Sequence, residues 1–163
     1  MVSRGVKKIT DQAKLEQINQ QLEALISDEN YWLPNLSNAA ALLYNELDHV
    51  NWAGFYLMKD GELVLGPFQG LPACIRIQIG NGVCGSAVKD EKTYVVKDVH
   101  QFEGHIACDK ASESEIVVPL YKEEKIIGVL DIDSPVKGRF NQTDKKYLEQ
   151  FVDILVRDSD FNR

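Results

Sequence analysis

Residues 51–70 read NWAGFYLMKDGELVLGPFQG, and this stretch decides the fold. Apolar and aromatic residues fill both halves of it. Asp60 and Gly61 between the halves accept the positive φ angles of a tight hairpin turn. Gly66 and Pro67 in the second half indicate a bulge or an edge position. The stretch therefore predicts two antiparallel strands joined by a two-residue turn.

Further strands follow the hairpin along the chain. Residues 75–79 alternate isoleucine with polar residues, which is the period of a half-buried strand. Three more runs rich in β-branched residues cover 93–96, 115–121 and 125–133. A Gly-Asn-Gly turn and a short helix over 83–89 separate the third strand from the fourth. Because hairpins outnumber crossovers, the sequence predicts a mostly antiparallel sheet of about six strands.

Two helices precede the sheet. Residues 11–27 place their leucines and isoleucines at helical spacing, which predicts an amphipathic helix. Pro34 is expected to interrupt the helical stretch, since proline cannot continue a helix. Asn35 or Ser37 would then cap a second helix that runs to about Leu47.

The last helix begins at Asn141, where Asp144 three residues on predicts an approximate capping box. The fold class is therefore α+β, as one domain over the whole chain, with the N- and C-terminal helices packed on one face of the sheet. The N-terminal helices occupy 1–47, the sheet, short helix and long loop occupy 48–134, and the last helix occupies 141–157.

Composition narrows the class of partners. The chain has 163 residues, a net charge of −7 and a pI near 5.0, so it repels phosphate backbones and nucleic acid is not an expected partner. It contains no run of about 18 apolar residues, which argues against a membrane span. No apolar segment follows the basic N-terminus, so we expect a cytoplasmic protein.

The three cysteines are Cys74, Cys84 and Cys108. An odd number in a reducing compartment argues against a structural disulfide framework. The alternatives are packing as small buried residues, redox chemistry and metal binding. Metal binding is disfavoured because no Cys-x-x-Cys pair occurs and the histidines lack ligand spacing.

Spacing alone leaves two candidates for a reactive thiol. Cys84 lies between glycines at a predicted helix start, a position that lowers a thiol pKa. Cys108 lies beside His105 and Asp109 in a long irregular loop over 97–113, and such loops are often functional. Cys74 lies in a predicted exposed turn, where a partner thiol could reach it.

Six segments give the sequence a recognisable family pattern. The chain resembles GAF domains over nearly its whole domain, from about Trp32 to Leu155. Within that fold it is similar to the free methionine-(R)-sulfoxide reductases, because three cysteines accompany a set of acidic residues. The segments are NWAGFY (51–56), LGPFQG (65–70), GNGVCG (80–85), HIACD (105–109), SEIVVPL (114–120) and GVLDIDS (128–134).

The resemblance implies an oxidoreductase that reduces free L-methionine-(R)-sulfoxide through a cysteine sulfenic acid and an intramolecular disulfide. It implies thioredoxin as the electron donor, with no metal and no organic cofactor. It places the attacking thiol at Cys108, with Cys74 or Cys84 as the resolving thiol. By analogy with other GAF domains, we also expect a homodimer that pairs through helices.

Asp131 and Asp133 are two residues apart on one predicted strand, so both side chains point to the same face. Glu115, near the start of the neighbouring strand, could join them. The pattern alone also allows all three to face solvent on the outer side of the sheet. The resemblance favours a cluster that binds the substrate ammonium and, if one carboxyl stays protonated, donates to the sulfoxide oxygen.

Trp52 and Tyr56 are four residues apart on a strand and also share a face. Core packing and a pocket for the substrate methyl group are equally compatible with the pattern, and the resemblance favours the pocket. Backbone N–H groups in residues 108–113 are expected to meet the substrate carboxylate. His100 and His105 are expected to be surface loop residues.

Two other functions remain compatible with the sequence. The chain could be a stand-alone GAF sensor that binds a small molecule without turnover. It could also be a redox sensor whose cysteines oxidise and regulate a partner. Both are weaker, because no effector domain accompanies the predicted fold and the cysteines occur together with the acidic residues.

Overall fold

The structure is a computed structural model that describes residues 4–105 and 110–162. The described chain forms helices on both sides of the sheet region, with a short 3-10 helix over Val99–Gln101. The helices are α1 (Arg4–Ile26), α2 (Trp32–Glu46), α3 (Gly82–Asp90) and α4 (Gln142–Arg157). The strands are β1 (Trp52–Lys59), β2 (Glu62–Gly70), β3 (Arg76–Ile77), β4 (Tyr94–Val96), β5 (Ser114–Lys122) and β6 (Lys125–Ser134).

The six strands form one sheet in the order β3-β2-β1-β6-β5-β4. Every neighbouring pair is antiparallel. This confirms the predicted α+β class and the predicted number of strands. No helix within the described residues is long and apolar enough to cross a bilayer.

The hairpin over residues 51–70 forms as predicted. Asp60 and Gly61 have φ angles of 52° and 82°, and the turn closes on the pair Lys59–Glu62. Gly54 lies opposite Phe68, whereas Tyr56 lies opposite Leu65. Gly66 and Pro67 therefore face a single residue of β1, which is the predicted bulge.

Alternating side chains give the sheet two separate cores. One face packs against α1, α2 and α4, as predicted for the terminal helices. The opposite face packs under α3 and its flanking loops. The first core contains Ala53, Phe55, Ile116, Leu130 and Ile132, and the second contains Trp52, Tyr56, Val117 and Val129.

The N-terminal helix boundaries differ from the prediction. α1 begins at Arg4, seven residues before the predicted start. α2 begins at Trp32, so Pro34 lies in its first turn, where the missing N–H has no intrahelical acceptor to lose. Asn35 is buried inside α2, and its amide donates to Glu29 O and Ser159 Oγ. Asn35 therefore ties α2 to the chain end and does not cap the helix.

The predicted strand over residues 75–79 shrinks to Arg76–Ile77. Ile77 is buried, whereas Ile75 is 70% exposed although it shares the same period. β3 is an edge strand that pairs only at Leu63 and Val64 of β2. The alternating isoleucines therefore extend past the end of β3, and the sheet does not bury Ile75.

The start of α4 forms the predicted capping box. Asn141 Oδ1 accepts hydrogen bonds from the N–H groups of Thr143 and Asp144. Asp144 Oδ2 accepts one from the N–H of Asn141 in return. Three of the N–H groups that a helix start leaves unpaired are thereby satisfied by side chains.

Gly54 allows β1 to pack closely against Phe68 of β2 and the Trp52 ring. A Cβ placed there would lie 2.3 Å from Phe68 Cβ and 2.9 Å from the Trp52 ring. We expect Gly54→Ala to lower the free energy of unfolding by about 2–3 kcal/mol, because β1 and β2 must separate. Urea unfolding followed by circular dichroism measures this change.

Gly61→Asn is the matched control for Gly54→Ala. Nothing lies within 4 Å of a Cβ at Gly61, and its φ of +82° is one that asparagine tolerates. Its free energy of unfolding should stay within about 0.5 kcal/mol of the unchanged chain. Equal losses in the two variants would show that the close approach at Gly54 does not matter.

Candidate active site

A cleft opens on the face of the sheet that carries α3. Strands β1, β5 and β6, the start of α3 and the segment after β2 form its walls. It holds about 560 Å³ of open space, counted together with the solvent at its mouth. No lysine or arginine is among the described side chains that line it. The lining includes Trp52, Tyr56, Cys84, Glu115, Asp131 and Asp133.

The pairing of β5 with β6 brings three carboxyl groups to this cleft. Glu115 lies opposite Asp133, and Val117 lies opposite Asp131. Glu115 and Asp131 are only 5% and 6% exposed. Asp133 is half-buried at the rim. The possibility that Glu115 and Asp131 face bulk solvent is therefore wrong, because α3 and its loops cover that face of the sheet.

The carboxyl groups hold protons more tightly than usual. Burial raises the pKa of Glu115 well above its ordinary value, and the charges of Asp131 and Asp133 raise it further. Burial also raises the pKa of Asp131, although hydrogen bonds from Glu115 and Cys84 oppose that change. Glu115 is therefore the member of the cluster that keeps a proton and donates it towards Asp131.

Cys84 lies in the first turn of α3 as a buried free thiol. Its pKa is raised well above the ordinary value, first by burial and then by the charges of Asp131, Glu115 and Asp133. The expectation that the helix start lowers this pKa is wrong, because burial beside carboxylates outweighs the helix dipole. Cys84 is therefore a hydrogen-bond donor to Asp131 and a poor nucleophile at neutral pH.

Cys74 is disulfide-bonded and follows β2 in the segment that forms one wall of the cleft. Two aromatic side chains of β1 hold this segment. The hydroxyl of Tyr56 donates to Cys74 O at 2.9 Å, and Trp52 Nε1 donates to Leu71 O at 3.1 Å. Cys108, the predicted attacking thiol, lies outside the described residues.

The aromatic side chains form a stacked wall. Trp52 lies between Tyr56 and Phe68, with ring centroids 5.9 Å and 5.2 Å away. The shared face of Trp52 and Tyr56 is confirmed, and both line the cleft. Burial raises the pKa of Tyr56, so its hydroxyl stays protonated as a donor. Phe68 completes the stack and was not singled out from the sequence.

His105 is a site residue that sequence reasoning missed. Its side chain is 14% exposed, and its Nε2 lies 3.7 Å from Glu115 Oε2. Burial lowers its pKa, and the nearby charge of His100 lowers it further. The expectation of a surface residue holds for His100 but is wrong for His105. Its place in the HIACD segment was the available clue.

Backbone donors at the start of α3 were also missed. Gly82 and Val83 line the cleft, and the first N–H groups of a helix lack intrahelical acceptors. The region that was predicted to hold the substrate carboxylate, residues 108–113, is described from residue 110 onward. Ser112 in it lines the cleft, and its hydroxyl accepts a hydrogen bond from Asn51 Nδ2 at 3.2 Å.

The chain is similar to known proteins over most of its length. The GAF domain model matches residues 36–156. The free methionine-R-sulfoxide reductase of Escherichia coli is 55% identical over 140 residues, which cover 86% of this chain and 85% of that protein.

Two solved structures share the fold closely. The fRMsr of Staphylococcus aureus, in complex with substrate, is 54% identical, with a TM-score of 0.85 over 88% of this chain and 94% of that one. The free methionine-R-sulfoxide reductase of Neisseria meningitidis, in complex with its substrate, is 44% identical, with a TM-score of 0.88 over 91% of this chain and 89% of that one. The chain therefore belongs to the GAF domain family and, within it, to the free methionine-R-sulfoxide reductases.

Proposed function

We propose that this chain reduces free L-methionine-(R)-sulfoxide to L-methionine. The observation that carries the proposal is the buried pair Glu115 and Asp131, with Asp133 at the rim, beside an aromatic wall. Isolated buried carboxylates are costly, and no lysine or arginine of the described chain lines the cleft to neutralise them. A small ligand with an ammonium group supplies that missing charge.

Each chemical group of the substrate has a complementary group in the cleft. Asp131 and Asp133 attract the ammonium, and Asp131 Oδ1 is buried without a hydrogen-bond partner among the described residues. The proton on Glu115 goes to the sulfoxide oxygen. Trp52 and Tyr56 offer their ring faces to the methyl group and the sulfur. The carboxylate is held by backbone N–H groups of residues 108–113.

The redox step transfers one oxygen atom. The Cys108 thiolate attacks the sulfoxide sulfur, and the oxygen, which has taken the Glu115 proton, leaves that sulfur and bonds to the Cys108 sulfur as the transient sulfur–sulfur bond breaks. Methionine leaves the enzyme, and Cys108 becomes a sulfenic acid. The thiol of Cys74 then attacks that sulfenic acid, which forms a disulfide and releases water. The dithiol of thioredoxin reduces the disulfide by exchange and becomes a disulfide itself. Two electrons therefore pass from thioredoxin to the sulfoxide.

Cys74 is the better candidate for the resolving thiol. It is disulfide-bonded in the structure, whereas Cys84 is a free thiol with a raised pKa. Attack on a sulfenic acid needs an accessible thiol, and Cys84 is buried within the first turn of α3. The proposal includes thioredoxin as the reductant, no metal or organic cofactor in the reaction, a cytoplasmic location and a homodimer.

A coupled assay tests the proposed activity. The reduced protein, thioredoxin, thioredoxin reductase and NADPH are incubated with free L-methionine-(R)-sulfoxide, and NADPH loss is followed. We expect NADPH loss with the R epimer and none with the S epimer. Cys108→Ser should abolish turnover because the attacking thiol is missing.

Folded, fully reduced protein that consumes no NADPH with either epimer would contradict the proposal. Calorimetry of Cys108→Ser with methionine sulfoxide then separates the alternatives. Binding without product in any variant indicates a GAF sensor that recognises a small molecule. Oxidation of the cysteines by peroxide, without any preference for methionine sulfoxide, indicates a redox sensor.

The raised pKa of Glu115 predicts a pH dependence. As pH rises through that pKa, Glu115 loses the proton that it donates to the leaving oxygen, so turnover should fall. Glu115→Gln should lower single-turnover methionine formation by about 100-fold and remove this falling limb.

Glu113→Gln is the matched control for the pH experiment. Glu113 is two residues away and more exposed, and its carboxylate pairs with His100 at 3.3 Å outside the cleft. Its single-turnover rate and pH profile should match those of the unchanged enzyme. A falling limb that persists in Glu115→Gln would assign the proton to another group.

Tyr56 is expected to position the segment that carries Cys74. Tyr56→Phe keeps the ring but loses the hydroxyl that donates to Cys74 O. We expect methionine formation in a single turnover to stay within about twofold, because the substrate wall is intact. Conversion of the sulfenic acid to the disulfide should slow by about tenfold. This rate is measured by trapping the remaining sulfenic acid with dimedone at successive times.

Tyr121→Phe is the control for Tyr56→Phe. It also removes a hydroxyl that donates to a backbone carbonyl, Glu91 O at 3.0 Å, but on the exposed surface. Its rate of disulfide formation should be unchanged. Equal rates in both variants would show that the Tyr56 hydroxyl does not position Cys74.

A further inference from the structure

The cleft brings together three potential metal ligands of two chemical kinds. The Sγ of Cys84 and one carboxylate oxygen each of Glu115 and Asp131 all lie within 4.8 Å of one another. All three residues are buried. His105 adds a nitrogen, since its Nε2 lies 3.7 Å from Glu115 Oε2.

A second observation shows that this cluster is open to a ligand. Asp131 Oδ1 is buried and accepts no hydrogen bond from any described residue. The side chain is 94% buried and lines the cleft, so this oxygen is available to whatever enters. A buried acceptor without a partner is costly, and a cation or a cationic group can satisfy it.

We propose that the cleft binds Zn²⁺ through Cys84, Asp131 and Glu115, with His105 as a fourth ligand. One sulfur, one imidazole nitrogen and two carboxylate oxygens are ligands that Zn²⁺ accepts in tetrahedral sites. Magnesium and calcium ions fit poorly, because they prefer six or more oxygen ligands. Binding releases the protons of the thiol and of the shared carboxyl pair.

The separations suit a small cation after a slight contraction. Zinc lies at about 2.0–2.3 Å from oxygen, nitrogen and sulfur ligands, so tetrahedral partners lie about 3.3–3.8 Å apart. The 3.7 Å between His105 Nε2 and Glu115 Oε2 is already in this range. Rotations about the side-chain bonds of Glu115 and Asp131 can bring the remaining atoms closer.

A surface cluster in the same region lacks these properties. Asp98, His100 and Glu113 also place ligand atoms within 4.8 Å of one another. However, Lys137 Nζ lies 3.2 Å from Asp98 Oδ2 and already occupies that carboxylate with a positive charge. His100 and Lys137 are largely exposed. This cluster serves as a matched control for the buried one.

The consequence for catalysis rests on the proposed function. Zn²⁺ and the substrate ammonium would neutralise the same carboxylates, so they exclude each other. The metal is then a reversible inhibitor and takes no part in the reaction. Cys84 is free while Cys74 is disulfide-bonded, so the site is also present in the disulfide form.

Cobalt absorption tests the site without any enzyme assay. In a Cys74→Ser, Cys108→Ser background, Cys84 is the one remaining thiol of the full chain. Titration with Co²⁺ should give a thiolate-to-cobalt charge-transfer band together with tetrahedral d–d bands, and Zn²⁺ should displace both. Adding Cys84→Ser should remove the charge-transfer band.

Two further variants in this background test the carboxylate ligands, and a third, at His100, is the control. Asp131→Asn and Glu115→Gln should each weaken Co²⁺ binding by at least tenfold, whereas His100→Asn should leave it unchanged. Circular dichroism checks that each variant is folded. Absence of the charge-transfer band overturns the site. So does a Co²⁺ affinity, measured from that band, that Asp131→Asn and Glu115→Gln leave unchanged.

Kinetics of the unchanged enzyme test the regulatory part. In single-turnover methionine formation without thioredoxin, Zn²⁺ should raise the substrate concentration needed for half-maximal rate and leave the maximal rate unchanged. An unchanged half-maximal concentration overturns the proposed exclusion. A cobalt site in a protein without reductase activity supports the site and contradicts the proposed function. Reductase activity without a cobalt site overturns this inference alone.

Discussion

The pairing of β5 with β6 is the constraint on which the cleft depends. Its register sets Glu115 opposite Asp133 and Val117 opposite Asp131. A shift of one residue would turn the carboxyl groups of the displaced strand, either Glu115 on β5 or Asp131 and Asp133 on β6, into the helical core on the other face, where leucine and isoleucine side chains leave no room for charge. The apolar residues that alternate with them therefore fix both the helical core and the position of the acidic cluster. Fold and site are specified by the same pattern.

Burial of these carboxyl groups is tolerated because they share protons. Glu115 remains protonated and donates towards Asp131, and the Cys84 thiol donates to the same carboxylate. The cluster thus carries less charge than three ionised acids would. Asp131 Oδ1 nevertheless lacks a partner among the described residues. The remaining unsatisfied charge and acceptor are what distinguish a binding site from a polar core.

The sequence predicted the parts of the molecule that depend on short-range rules. The Asp60–Gly61 turn, the capping box at Asn141 and the shared face of Trp52 and Tyr56 each follow from local geometry, and the structure confirms them. The burial of a side chain depends on which distant part of the chain packs over it, and local rules did not predict this. Ile75 is exposed because the sheet ends beside it, and Asn35 is buried because the chain end packs over α2.

The same distinction applies to the site. The helix start around Cys84 was correctly placed, yet its effect on the thiol pKa was reversed, because the carboxylates come from strands distant in sequence. His105 was misjudged for the same reason, since only the folded chain brings it to Glu115. Trp52 and Tyr56 show the closest link between fold and function. Their ring faces line the cleft, and their polar atoms hold the segment of Cys74. A single strand therefore lines the cleft and holds the segment of Cys74 through different parts of the same two side chains, the ring faces and the polar atoms.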